Sequence, residues 1–485
     1  MPSLKNQSYS LFFGKTTALI IQMLTSVIIV RLISKADYGL YQQFLLISTT
    51  LITVLGLGLN SSLYYFYPTG TNNEQHLVIK HTILIELIIG IAFVILFLGL
   101  GIPRLEWLNL ENLNIYRIHI GLYILFTSVS SIVETMFTVE KNVTLNRFYH
   151  PFEKFIRLGL IISFIFFFQD NIALIYALLV LSGLKFIFVI IYSWNHLVQQ
   201  NFISFPLLKN QLVYSIPIGI SVILRTISVK IDKFIVNEYV DINDFAIYSI
   251  AFISIPVLPI LYSSINNVVV AQIAVFCKEE KFKNAAALWR KTVLKNASIT
   301  IPIVGFCFVM ADHIIEILYT QRYLESANYF RIYILYFLFS MFSYGFILRG
   351  TKKTSSIFII DLISAIITII SGIYLIQNYQ MYGAAITAVM GISLPIIITV
   401  IYEKNLLKLP LAKLMNWKKL YLIVITSLGS LIGVYLISCF IENIYIAFAV
   451  AGIFYSTSVY YLQKKYDLFL FPDLINTIFQ RNDSQ

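Results

Sequence analysis

Charge is scarce in this chain. Asp, Glu, Lys and Arg make up 12% of its 485 residues, roughly half the share of a soluble globular protein. Hydrophobic residues reach 58% and mean hydropathy is +0.81, which excludes an ordinary soluble fold. Cysteine is equally rare. Cys277, Cys307 and Cys439 stand far apart, so the chain has neither a disulfide framework nor a zinc-ligand spacing. The six histidines make no HExxH pair, and no GxxxxGK[ST] loop is present to bind and hydrolyse ATP. No metal or cofactor is expected. A net charge of +11 raises the question of nucleic acid. In so apolar a chain, basic loops that orient membrane spans explain it instead, and no nucleic-acid partner is expected.

What the chain has in abundance is long apolar runs. They approach 20 residues, the length of a membrane-crossing helix, and lack the short alternating pattern of a membrane β-barrel. Fourteen such runs are legible, which predicts an all-α polytopic membrane protein with about 14 transmembrane helices. The first, near Lys5 and Lys15, is followed by no small-residue cleavage site and reads as a retained helix, not a signal peptide. Counted alternately from a cytoplasmic N-terminus, the inside loops hold most of the Lys and Arg. Lys154 and Arg157 belong to that loop set, and Lys185, Arg225, Lys230 and Lys233 fall within spans. Both termini are therefore expected in the cytoplasm. Outside loops are short, which leaves no room there for a large catalytic domain. The longest polar connector, CKEEKFKNAAALWRKTVLKN at 277–296, sets Ala286, Trp289 and Val293 against Lys283, Arg290 and Lys291. It reads as an amphipathic helix lying on the inner membrane face.

An internal repeat organises the spans. Laid with an offset of 207, residues 28–48 fall on 235–255, so that Asp37, Tyr38, Gly39 and Tyr41 meet Asp244, Phe245, Ala246 and Tyr248. The expected layout is two six-helix lobes, 1–200 and 201–403, followed by two extra helices and a cytoplasmic tail at 404–485. Parallel repeats of this kind are a transporter architecture with the site between lobes.

Four segments carry a family resemblance: RLISKADYGLYQ after the first helix, GLGLNSSLYYFYP at the end of the second, IDKFIV in the seventh, and LYTQRYLESANYFRI between the ninth and tenth. In these the chain resembles the Wzx-type polysaccharide-unit flippases of the multidrug/oligosaccharidyl-lipid/polysaccharide exporter superfamily. The resemblance implies a non-enzymatic flippase of the bacterial inner membrane. Its cargo would be an oligosaccharide repeat unit on undecaprenyl pyrophosphate, moved by alternating access for O-antigen, capsule or exopolysaccharide synthesis, with lipopolysaccharide as one destination. A cationic central cavity would receive the diphosphate and sugar. A monomer is expected to suffice, with membrane lipids around it and a partner glycan polymerase or synthase left open. Two rival readings remain, a cation-coupled multidrug exporter of the same superfamily and a membrane-embedded polysaccharide polymerase or ligase. Twelve helices would suit the first, and the second would need a sizeable outside loop.

Charges inside spans are the candidate site residues, because each costs roughly 2.5–3.5 kcal/mol or more at mid-bilayer. In the seventh helix, at 100° per residue, Ser221, Arg225, Ser228 and Asp232 gather on one stripe, with Lys233 to its other side. Arg225 is the leading candidate for a diphosphate contact, since a guanidinium holds a phosphate bidentately. The alternative is a structural Arg225–Asp232 pair. Lys230 lies off the stripe and is expected to snorkel outward. Lys15 in the first helix, Lys230 and Lys233 complete the candidate cavity cations. Asp232, Glu86, Glu134, Lys185 and Asp361 are candidates for ion coupling or for structural pairing. Pro217, Pro256, Pro259, Pro302 and Pro395 interrupt spans and permit bending.

Overall fold

The computed structural model describes residues 4–99, 111–168, 173–198, 203–253, 255, 257–342, 344–351, 353–407, 410 and 415–468. Every regular element among them is helical. Ten of these helices are long and apolar enough to cross a membrane, so the chain is a multi-pass membrane protein of all-α fold. It divides into two compact units, Met1–Ala246 and Ile247–Gln485.

The first unit opens with α1 (Leu4–Leu32) and α2 (Lys35–Leu55). The apolar run that follows the first turn is not one helix. It breaks after α2 and resumes as α3 (Leu59–Thr69), because Leu57 (φ 42°) and Gly58 (φ 69°) adopt the left-handed conformation that ends a helix. α4 (Asn72–Gly99) follows, then a short 3-10 helix (Glu111–Tyr116), α5 (Arg117–Ser130) and α6 (Ile132–Val139). Next come α7 (Val143–Phe168), α8 (Ala173–Tyr192) and α9 (Trp194–Val198). The longest helix of this unit is α10 (Phe205–Tyr239). Its 35 residues span about 52 Å at 1.5 Å per residue, more than the ~30 Å hydrocarbon core. An apolar core of Leu63, Ile79, Ile83, Val133, Phe137 and Val189 ties α3, α4, α6 and α8 together.

Two details of this unit give the internal repeat a physical basis. The side chain of Ser34 caps α2 by accepting from the Asp37 backbone amide, and 207 residues on, Asp241 Oδ1 accepts from the Asp244 amide at the start of α11 (Ile242–Ile250). The same cap recurs at matched positions. Gly39 then lets the two turns touch, since a Cβ there would lie 2.2 Å from the Ile242 carbonyl oxygen.

The second unit continues with α12 (Val257–Lys278), α13 (Phe282–Val309) and α14 (Ala311–Tyr319). Three short pieces follow: α15 (Ser326–Tyr333), α16 (Tyr336–Ser340) and α17 (Phe346–Gly350). α18 (Thr354–Leu406) is a helical pair folded at Gln380, whose φ of 48° and ψ of −126° are not helical. α19 (Trp417–Phe440) and α20 (Ile444–Lys465) close the described chain. One expectation is corrected here. The connector at 277–296 is not a separate in-plane helix, because most of it forms the first turns of α13. Its apolar face, Trp289 and Val293, continues in phase into the span and is buried with Ile265, Ile273 and Phe346. That face is therefore covered by protein. Lower in α13, Pro302 lacks the amide that would bond the Ser298 carbonyl, and Gln463 Nε2 of α20 donates to that carbonyl instead at 2.9 Å, while the Tyr455 hydroxyl donates to the Pro302 carbonyl at 3.1 Å. An apolar cavity of about 400 Å³ lies between these two helices, lined by Pro302, Phe306 and Tyr455 among others.

Candidate functional site

Helix α10 places four of the predicted residues. Arg225 sits 20 residues from the helix start and is exposed, whereas Asp232, two turns on, is fully buried. The helix begins earlier than the apolar run suggests, so Arg225 stands further along it than the sequence implies. Lys230 does not snorkel. Its ammonium donates to Thr49 Oγ1 at 2.8 Å and Thr50 Oγ1 at 3.2 Å, both on α2. Hydroxyls one helix away satisfy the charge better than a long reach to the interface. Lys233 lies beside Asp232 on the same helix and within the field of Lys230.

Two predicted residues from distant parts of the sequence meet. Lys15 Nζ on α1 and Glu134 Oε1 on α6 are 2.8 Å apart, and His150 Nε2 of α7 lies 3.3 Å from the same carboxylate oxygen. Lys15 and Glu134 are both substantially exposed, so this pair contributes placement of charge more than stability. Lys185 on α8 stands 3.7 Å from Glu153 of α7. Asp361 of α18, in the second unit, accepts from the Tyr344 hydroxyl at 2.6 Å. Glu86 on α4 is buried at 1% exposure.

The sequence reading missed a charged stripe on α7. Lys154 and Arg157, assigned to a cytoplasmic loop, lie within the helix, because Val143–Phe168 is helical throughout. With His150 and Glu153 they occupy positions i, i+3, i+4 and i+7, a single face. Glu153 Oε2 holds Lys154 at 3.1 Å. Arg157 donates to the Tyr41 hydroxyl of α2 at 2.7 Å and neighbours Tyr123 of α5. That spacing is visible in the sequence, where 149–168 reads as a span although its two cations were counted with the cytoplasmic loop.

The first unit thus holds a series of polar contacts along α7 and α10, surrounded by apolar helices. No group of three or more metal-ligating side chains occurs among the described residues. What it offers chemically is fixed positive charge and hydrogen bonding within a membrane.

A family model described as polysaccharide biosynthesis protein matches residues 28–328, well over half of the chain. The chain belongs to the polysaccharide biosynthesis protein family. Its fold is shared with solved transporters. The lipid II flippase MurJ, in an inward closed conformation, superposes with a TM-score of 0.73 over 97% of this chain and 99% of its own, at 17% identity. A multidrug resistance MATE family transporter of the MOP superfamily, inward-facing, gives 0.57 over 82% of this chain and 94% of its own, at 13% identity. A MOP superfamily transporter from Pyrococcus furiosus gives 0.53 over 83% and 96%, at 14% identity. A comparison with curated proteins finds no match. This member of the polysaccharide biosynthesis protein family therefore has the MurJ/MATE fold.

Proposed function

We propose that the protein is a flippase that moves an oligosaccharide repeat unit, carried on undecaprenyl pyrophosphate, from the inner to the outer leaflet of the bacterial inner membrane. The observation that carries the reading is the joint one. The family is that of polysaccharide biosynthesis proteins, and the fold is that of a lipid II flippase over 97% of the chain. The multidrug exporter reading has less support, because the MATE transporter covers 82% of the chain. The polymerase or ligase reading has less support, because the solved structures that share the fold are a flippase and transporters. Movement proceeds by alternating access, without bond making. Arg225 on α10 is the foremost cargo contact, with Lys15, Lys230 and Lys233 as supporting cations. The two expected lobes, 1–200 and 201–403, would rock about the site, with the segment from 404 appended.

The test is leaflet-resolved labelling of the lipid-linked repeat unit in a strain lacking the gene. Accumulation on the inner leaflet, with loss of the mature surface glycan, is expected. Normal delivery to the outer leaflet with altered glycan chain length would favour a polymerase. Normal glycan with increased sensitivity to cationic drugs would favour an exporter.

A further inference from the structure

We infer that Glu86 is a proton-binding site that sets the conformation of the α2–α3 break. The carboxyl is 1% exposed in the middle of an apolar helix, and its Oε2 is sealed from solvent without a hydrogen-bond partner. No ion pair reaches it among the described residues. His81 is the other buried titratable group of α4. The helices packed on α4 carry Tyr67 (α3), His119 (α5), Glu134 (α6), His196 (α9) and Lys209 and Lys230 (α10). None of these is in an ion pair with Glu86, whose carboxyl is packed away from solvent. An ionised carboxylate with an orphaned oxygen in such a place costs several kcal/mol or more. The neutral acid does not carry that cost, so this conformation is the one with Glu86 protonated.

The location gives the proton something to act on. Glu86 Oε1 faces Gly56, where α2 ends: a Cβ on Gly56 would lie 3.5 Å from it. The two residues after Gly56 are the left-handed Leu57 and Gly58. That break is seated directly on α10, backbone against backbone. A Cβ on Gly219 would lie 2.4 Å from the Leu57 carbonyl carbon, and one on Gly58 would lie 2.8 Å from the Gly219 amide nitrogen. Pro217, two residues before Gly219, removes one hydrogen bond from α10 at the same level. Arg225 follows Gly219 by six residues. When Glu86 gives its proton to water, forming hydronium and a carboxylate, the carboxylate requires hydration. Water can reach it only if the break parts, and α10 must then shift with it. The role in transport rests on the flippase reading, but the proton chemistry does not.

The test uses the full-length protein in lipid nanodiscs. Infrared spectra of wild type and Glu86→Gln are compared in neutral buffer. A protonated-carboxyl C=O band that wild type shows and the variant lacks is expected; its absence from wild type overturns the proposal. Glu86→Asp keeps a shorter acid and should displace the band, which covers the case in which Glu86→Gln does not fold. Spin labels on α3 and α10 then report the break. Their distance should change between acid and alkaline buffer in wild type and lose that change in Glu86→Gln. A pH response that survives in the variant overturns the coupling. A response to Na⁺ at fixed pH, without one to protons, would replace the proton site by a cation site. None of these readings needs transport. A protonated Glu86 in a protein that fails the leaflet assay would sink the flippase reading alone.

Discussion

At Arg225 the cost of a charge in a membrane helix and its use by a polyanionic cargo can be separated by mutation. The residue is exposed while Asp232 is buried, so removing the guanidinium should disturb packing little. Arg225→Ala should leave expression and apparent Tm near normal and lower flipping at least about tenfold, equivalent to ~1.4 kcal/mol of barrier. Arg225→Lys should recover part of the loss, because lysine keeps the charge without the bidentate fork. If the residue served only as the partner of Asp232, the alanine variant would be unstable and Arg225→Ala with Asp232→Ala would restore transport. Glu153 behaves in the opposite way. It lies between Lys154 and Lys185, with Arg157 nearby, and is 12% exposed. Glu153→Gln strands cations against one another and should cost about 3–5 kcal/mol. A thermal melt of the purified protein should show the loss, and Lys185→Met in the same chain should restore part of it.

Helices were legible where an apolar run was continuous and illegible where chemistry interrupted it. The runs that became α4, α8 and α19 need nothing beyond length and hydropathy. The break between α2 and α3 was partly written in the GLG of residues 56–58, since Gly58 takes φ 69° at low cost, but the φ of 42° falls on Leu57, which no sequence rule marks. Hydropathy averages over it. The break between α5 and α6 has no such marker, since Ser131 holds an ordinary right-handed conformation there. α7 starts six residues before the apolar run at 149–168, because Asn146 and Arg147 depress hydropathy in its first turns. Of the candidate site, residue types were legible but partners were not. Nothing in the sequence links Lys15 to Glu134 or Lys230 to Thr49, because those contacts depend on how distant helices pack. The seating of the break on α10 gives an element-scale prediction. Gly219→Val would force a side chain into the Leu57 carbonyl, where the blocking atoms are backbone and cannot rotate away. Overpacking of this kind costs about 1–3 kcal/mol, and more where nothing yields. Apparent Tm should fall accordingly, whereas Gly429→Val, at a site with no neighbour within 4 Å, should leave it unchanged.

For the whole molecule, the placement of basic residues predicts which side of the membrane each turn occupies. Lys278, Lys281 and Lys283 lie where α12 passes into α13, and basic residues gather on the cytoplasmic side of membrane proteins. Asp241, between α10 and α11, lies in a turn without Lys or Arg between Lys233 and Lys278. The helices between these two turns, α11 and α12, must therefore make one crossing, although neither is among the ten helices long and apolar enough by themselves. Single cysteines test this after Cys277, Cys307 and Cys439 are replaced. Lys281→Cys should react with an impermeant maleimide only after the cells are opened. Asp241→Cys should react in intact cells whose outer barrier admits the reagent. Asn378→Cys, near the fold of α18 at Gln380, should match Asp241→Cys. If positions 241 and 281 reacted from the same side, α11 and α12 would not cross as a pair. Every turn after them would then change sides relative to the N-terminal unit. The charge argument for a cytoplasmic C-terminus would fail with it, because Lys464 and Lys465 at the end of α20 would fall on the outer face.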